Sequence, residues 1–346
     1  MSAIDKTKPV LVTGASGYIA GVLVKRLLSE GITVHATVRN ISDVKKTYYL
    51  EELSQKLPGE LKLFEADLLN RGSYDKAMVG CELVYHTASP FKLNVLDPQK
   101  DLVEPALIGT ANILESVNNC ASVKKVVLTS SVAAIYGDNA DIMDCTKGML
   151  TEDDWNSTST LKHQPYSYSK TVAEREAWAI YKAQNRWKLV VINPSFVIGP
   201  GLSVITSSES HNVFRKIFNG DFKIGVPDFR IGMVDVRDVA EAHYLAGYKP
   251  DSEGRYIVSA ENSSMWHVSS ILKEKYKNGF QFPKQVIPKA ITWLVAPLVG
   301  YKRKMISRNI GYPFIADTSK SKYHLGLKYR PLKETVLEFF EQLKTA

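Results

Sequence analysis

Residues 9–29 constrain this chain more than any other stretch. Pro9-Val10-Leu11-Val12-Thr13 is an apolar run of strand length. Gly14-Ala15-Ser16-Gly17-Tyr18-Ile19-Ala20 follows at once, and Val22 to Leu28 then carries helical apolar spacing. Strand, glycine turn and helix in that order put bare backbone where a pyrophosphate can approach. The helix start supplies free N–H groups and the positive end of a dipole. The spacing is GxxGxxA, not GxGxxG, and a second strand-like run follows at 32–38. The pattern predicts a dinucleotide site with contacts from Gly14, Ser16, Gly17, Tyr18 and Ile19.

At 346 residues the chain can bury one large core or two coupled ones. It is 45% hydrophobic and 23% charged, the balance of an ordinary globular protein. The net charge is +8, and the Lys and Arg residues read as scattered rather than blocked. That favours an anionic small molecule over nucleic acid as a partner. Cys81, Cys120 and Cys145 form no CxxC and have no metal-type His pairing, so reduced thiols and no metal site are expected. Residues 1–9 are polar and lead straight into the first strand, so no signal peptide and a cytoplasmic location are expected. The stretch 286–300 is apolar but too short to span a bilayer, and it contains Pro288 and Pro297. It reads as a helix packing in the C-terminal part rather than a membrane-surface patch.

Strand-like runs at 9–13, 32–38, 61–65, 82–86, 124–130 and 188–193 alternate with helical patterns at 18–29, 43–56, 71–78, 100–118 and 166–185. This alternation predicts an α/β doubly wound parallel sheet. The expected organisation is a dinucleotide-binding domain over 1–194, with 232–250 returning to it. Residues 195–231 and 251–346 are expected to form mainly a smaller C-terminal substrate-binding domain. Met233 to Ala240 reads as a strand and a capped helix returning to the main sheet. The stretch 137–164 is too long for a simple connection and is rich in Asp, Thr and Ser, so it is a candidate active-site loop.

Tyr166-Ser167-Tyr168-Ser169-Lys170 places Tyr-xxx-Lys at a helix start, where residues i and i+4 share a face. One lysine can then serve both the tyrosine and a bound ribose. The pattern recurs at Tyr329 and Lys333, but Pro331 disfavours a continuous helix there. Val126 to Ser131 ends a central strand, and ligands of such sheets bind outside the carboxyl ends of strands. One of Ser130 and Ser131 can hold a carbonyl oxygen beside the tyrosine, while the other serves the turn. His86 ends an apolar strand without a ligand partner in the sequence and reads as a packed histidine.

Taken together, these segments resemble the extended short-chain dehydrogenases/reductases. The likeness is to their dihydroflavonol reductase-like group, which includes plant dihydroflavonol 4-reductases and yeast methylglyoxal and ketone reductases. It rests on 12–20, Val38-Arg39, Asp67-Leu68, His86 to Pro90, Leu128 to Ser131, Tyr166 to Lys170, Asn193 to Pro200 and Val234 to Ala240. By motif the resemblance implies Ser131 as the carbonyl-orienting serine, Tyr166 as general acid and Lys170 as the ribose-binding lysine. It further implies cofactor contacts from Asp67, Leu68, Thr87, Ala88, Ser89, Thr129, Pro194 and Val197. Arg39, at the end of the second strand, replaces the acid that would bind a ribose 2′-hydroxyl. NADPH/NADP+ is therefore the expected cofactor, with Lys46 favoured over Lys45 as a second 2′-phosphate contact.

The expected reaction is hydride transfer to the carbonyl of a small or aryl, largely apolar aldehyde or ketone. The group's dihydroflavonol enzymes carry an Asn five residues after the catalytic serine, and here that position is Tyr136. Phe91 and Tyr136 are expected to wall the substrate pocket with Ser131. The alternatives are a nucleotide-sugar epimerase or dehydratase and a hydroxysteroid dehydrogenase on the same scaffold. A cinnamoyl-CoA reductase reading is weakened because that group's Asn-Trp-Tyr-Cys-Tyr-Gly-Lys is replaced here by His163 to Lys170. Expected partners are a small-molecule carbonyl compound, no nucleic acid and no membrane, in a monomer or homodimer.

Overall fold

The computed structural model describes residues 3–89, 95–202, 208–277 and 279–344. Strands and helices alternate from the start. In order they are β1 (Val10–Val12), α1 (Tyr18–Ser29), β2 (Val34–Val38), α2 (Val44–Lys56), β3 (Leu61–Glu65), α3 (Asp75–Met78), β4 (Leu83–His86) and α4 (Glu104–Asn119). β5 (Lys125–Thr129), α5 (Pro165–Lys182), β6 (Lys188–Pro194), β7 (Phe196–Ile198), α6 (Glu209–Phe218), β8 (Val226–Pro227), β9 (Ile231–Asp235) and α7 (Val236–Tyr248) follow. The chain finishes with β10 (Gly254–Val258), β11 (Glu261–Ser263), α8 (Met265–Lys275), β12 (Val286–Ile287), α9 (Lys289–Val295), α10 (Arg303–Asn309) and α11 (Leu332–Lys344).

Seven strands form one parallel sheet in the order β10-β6-β5-β4-β1-β2-β3. Its strands β1, β2 and β4 are buried along their whole length, and β1 accordingly reads as an apolar run without alternation. Helices cover both faces, as the sequence pattern predicts. On one face α1 and α7 pack over Val12, Val34 and Val190; on the other, α4 and α5 enclose Leu11, Val84 and Val126. The strand order reverses between β1 and β4, and a crevice opens beyond their carboxyl ends.

Two sequence expectations about the second half are corrected. β9 does not join the main sheet. It pairs with β7 and β11 in a separate three-stranded sheet. The main sheet is instead extended by β10, from a stretch assigned to the other domain. A parallel neighbour needs a crossover helix before it. That helix is α7, capped by the Asp235 side chain, so the strand after it reaches β6 and the strand before it is free to pair elsewhere. Residues of α6, α8 and α11 build a second core around Phe214, Leu272, Phe339 and Phe340. The other correction concerns α9 and the turn after it. Ala296 is the one buried residue there, and the rest of that segment stands in solvent rather than packing.

Candidate active site

The glycine turn after β1 is built for close approach. Gly14 has φ +64°, and a Cβ there would lie 3.0 Å from the Ala88 Cβ. Only glycine fits, because the backbone is left-handed and the end of β4 is in contact. The α1 start at Gly17 has no side-chain cap, which leaves its N–H groups facing the crevice. Thr13, which the sequence reading passed over, ties the two strand ends together. Its hydroxyl accepts from the backbone N–H groups of Thr87 at 3.1 Å and Ala88 at 3.0 Å, and it contacts His86 Nδ1 at 3.1 Å. The Thr87 hydroxyl donates to the Thr13 carbonyl. Burial, reinforced by the nearby Lys170 charge, pushes His86 down to about 3. It is a neutral packed histidine, as expected.

Arg39 follows β2 directly and is exposed at the rim of the crevice. Lys46 pairs with Asp43 at 2.9 Å, an exposed contact worth at most ~1 kcal/mol that an arriving phosphate can displace. Asp67 is exposed, and Leu68 lies against Gly109 beside the crevice. Tyr18 turns its hydroxyl to the Gly199 carbonyl at 2.5 Å, so it braces the loop after β7. Ser16 offers its carbonyl to Tyr49 at 2.9 Å, and Ile19 is partly buried on α1. Pro194 is buried at the end of β6, with Val197 partly buried on β7.

Tyr166, Lys170 and Glu174 line one face of α5 at four-residue spacing. Tyr166 is 45% exposed, and Lys170 Nζ lies 5.8 Å from its ring centre. Lys170 also donates to Ser89 Oγ at 2.8 Å. Burial lowers the Lys170 ammonium to about 8, while the Glu174 carboxylate opposes that shift. A cavity below this face is lined by Leu68, His86, Ala88, Thr129, Lys170 and Glu174. The two serines separate. Ser130 donates to Glu174 Oε2 at 2.5 Å and is buried. Ser131 caps the short turn Val132–Ala134 and stays partly open.

Sequence reasoning missed Glu174, although its spacing from Lys170 was legible. Its carboxylate accepts from Ser130 and from Asn193 Nδ2 at 2.8 Å, and Trp178 Nε1 donates to it at 3.3 Å. Arg255 Nε lies 2.7 Å from Glu174 Oε1, close enough to pair the charges, although the N–H is not aimed along that line. The Arg255 guanidinium also donates to the Glu152 and Asp154 carbonyls and stacks over Trp155. It thereby pins the 137–164 segment to the site.

The same segment is anchored at its other end by Asp138. Burial pushes that carboxyl up, but hydrogen bonds from His163, Asn309 and Gln164 outweigh it and hold the carboxyl below its ordinary range. The contacts are 2.6 Å from His163, 2.6 Å from Asn309, 3.2 Å from Gln164 and 3.0 Å from Arg308. Gln164 sits at φ +55°, a left-handed conformation that costs a non-glycine residue roughly 1–2 kcal/mol. Pro165 then starts α5 and delivers Tyr166 to the crevice. The 137–164 stretch is thus a packed strap leading into the site. Tyr136 packs edge-on against Phe314 at 5.5 Å in a cluster with Ile135 and Leu150. Phe91 lies outside the described residues. Tyr329 is partly buried with its hydroxyl against Ser321, and Lys333 pairs with Glu274, so the second Tyr-xxx-Lys forms no site.

Residues 10–259 match the model of the NAD dependent epimerase/dehydratase family. The chain belongs to that family. It is an extended short-chain dehydrogenase/reductase of the dihydroflavonol reductase-like group. It is 38% identical over 348 residues to Cinnamoyl-CoA reductase CAD2 of Medicago truncatula, covering 99% of this chain and 98% of that protein. It is 36% identical to Tetraketide alpha-pyrone reductase 1 of Arabidopsis thaliana, covering 96% and 94% of the two chains. Yeast methylglyoxal/isovaleraldehyde reductase Gre2, solved with NADPH, has 29% identity and a TM-score of 0.80, over 97% of this chain and 98% of that one. As a member of this reductase group, the enzyme is an oxidoreductase.

Proposed function

We propose that this oxidoreductase reduces the carbonyl of a small or aryl, largely apolar aldehyde or ketone to the alcohol, with NADPH as cofactor and Tyr166 as proton donor. The single observation that carries the reading is Lys170, one turn from Tyr166 on α5, bonded to Ser89 after β4 in a cavity it shares with Ala88, Thr129 and Ser130 at the ends of β4 and β5. The turn after β1 fits a dinucleotide, since Gly14 and Gly17 carry no side chain and the start of α1 has no side-chain cap over its backbone N–H groups. Gly14, Ser16 and Gly17 would hold the pyrophosphate, Arg39 with Lys46 the 2′-phosphate, and Asp67 with Leu68 the adenine side. Thr87, Ala88, Ser89, Thr129, Pro194 and Val197 would flank the ribose and the nicotinamide. The bound nicotinamide supplies the hydride.

The protein's part is positioning and proton supply. Ser131 Oγ, partly open at the end of β5, donates to the substrate carbonyl oxygen and holds it beside Tyr166. The Tyr166 hydroxyl gives its proton to that oxygen as the alcohol forms. A free tyrosine has a pKa near 10, so it gives up a proton reluctantly near neutrality. The ammonium of Lys170, one helical turn away, favours the phenolate and makes the donation easier. The portion around β7, β9, β11, α6, α8 and α11 covers the substrate in this reading. Tyr136, packed on Phe314, narrows that side of the pocket and offers one hydroxyl where an amide would offer a donor and an acceptor.

Two measurements test the cofactor and the substrate class. The enzyme should prefer NADPH to NADH. Arg39→Ala should weaken NADPH binding about 10- to 100-fold, the worth of one charged hydrogen bond of ~1.5–3 kcal/mol. Equal efficiencies with both cofactors in the unmodified enzyme would refute the 2′-phosphate assignment. An NADPH-oxidation screen should show higher kcat/KM for small ketones and aryl aldehydes than for dihydroquercetin, with UDP-sugars inert as the control class. A clear preference for dihydroquercetin would overturn the substrate class.

A further inference from the structure

The Lys and Arg residues are scattered along the chain, but the whole net charge lies in one segment because the acids are missing from it. Of 44 Lys and Arg, eight fall within residues 275–316, together with none of the 36 Asp and Glu. The remainder therefore carries 36 of each sign and is neutral. Lys275 pairs with Glu341, and Arg308 pairs with Asp138 and Asp141. Among the described residues, Lys277, Lys284, Lys289, Lys302, Arg303 and Lys304 have no carboxylate partner.

The same segment holds an apolar surface that nothing among the described residues covers. Leu298 is 84% exposed, Val299 65%, Leu294 64% and Ile291 54%. Trp293 and Tyr301 stand beside them, also exposed, and Arg303 stacks on the Trp293 ring at 4.3 Å. An exposed aliphatic cluster of this kind costs free energy in water and marks an interaction site. It is held firmly from beneath. β12 pairs with β8, and Ala296, Ile306 and Ile310 form a small core with Phe229. Lys302 also donates to the Lys162 carbonyl at 2.6 Å, which joins the patch to the strap that leads into the active site.

We propose that this patch is a peripheral docking surface for an anionic phospholipid bilayer. Ile291, Leu294, Leu298 and Val299 enter the acyl boundary. Trp293 and Tyr301 sit at headgroup depth, and the lysines and Arg303 meet the lipid phosphates. The contact is superficial, since no helix among the described residues is long and apolar enough to cross a membrane. Charge complementarity selects this occupant over a second copy of the chain. A two-fold contact through the patch would set one acid-free cationic segment against another. It reverses the sequence-based expectations of a packed helix over 286–300 and of no membrane partner.

Co-sedimentation of the full-length enzyme with vesicles tests the proposal. Binding should rise about 10-fold or more from pure phosphatidylcholine to vesicles with about 30 mol% phosphatidylserine. It should fall several-fold between about 0.1 M and about 0.5 M salt. Leu294→Ser with Leu298→Ser, and separately Lys284→Gln with Lys304→Gln, should each lower binding about 10-fold. Thermal melting and reduction of a soluble carbonyl should be unchanged in both variants. Binding that ignores the leucine pair would mean mere electrostatic adsorption and overturn the docking surface. So would no binding, or a concentration-dependent dimer that the leucine pair dissolves. Loss of carbonyl reduction in the unmodified enzyme would instead strike the proposed function and leave the vesicle result standing.

Discussion

Tyr166→Phe is expected to lower turnover about 10²–10⁴-fold while leaving NADPH affinity nearly unchanged, because it keeps the ring and removes only the acid. Lys170→Ala should reduce both turnover and cofactor affinity, since the same ammonium faces the tyrosine and the ribose side of the crevice. The unmodified enzyme should also lose reductive rate as pH rises above about 8. Burial lowers Lys170 to about 8 against the pull of Glu174, so the ammonium is present below that pH and lost above it. Steady-state kinetics and fluorescence titration of NADPH separate these effects. If Tyr166→Phe kept most of its activity while Tyr329→Phe lost it, the assignment would fail.

Arg255→Met should destabilise the fold by about 3–5 kcal/mol, the usual effect of stranding a buried charge. The Glu174 side chain is fully buried and Arg255 is 6% exposed, so solvent cannot replace the lost guanidinium. The released strap at 152–155 adds to the loss, since Arg255 holds its carbonyls. Equilibrium urea unfolding measures the change. Arg255→Met with Glu174→Leu should recover part of it but not all, because Ser130, Asn193 and Trp178 also donate to that carboxylate. A loss under about 1 kcal/mol for the single variant would show that the pair does not carry charge as the geometry implies.

Local chemistry in this chain was legible from residue order. The apolar runs at 9–13, 82–86 and 124–130 had to be buried strands, and the turn at Gly14 needs a residue without a Cβ. Tyr166 and Lys170 had to share a face because a helix repeats every 3.6 residues. These features depend on neighbours a few positions apart, so the sequence alone determined them. The choice between Ser130 and Ser131 did not lie in their order. Glu174, 44 residues downstream, draws Ser130 into a buried carboxylate cluster while Ser131 stays partly exposed, which is the difference the proposed role of Ser131 rests on. The sheet assignments of β9 and β10 depend on which strand follows a crossover helix, a pairing made between residues distant in sequence. The exposure of 286–300 is likewise invisible to periodicity. An apolar run has the same pattern whether a partner covers it or not, and only the tertiary structure decides which side of the surface it faces.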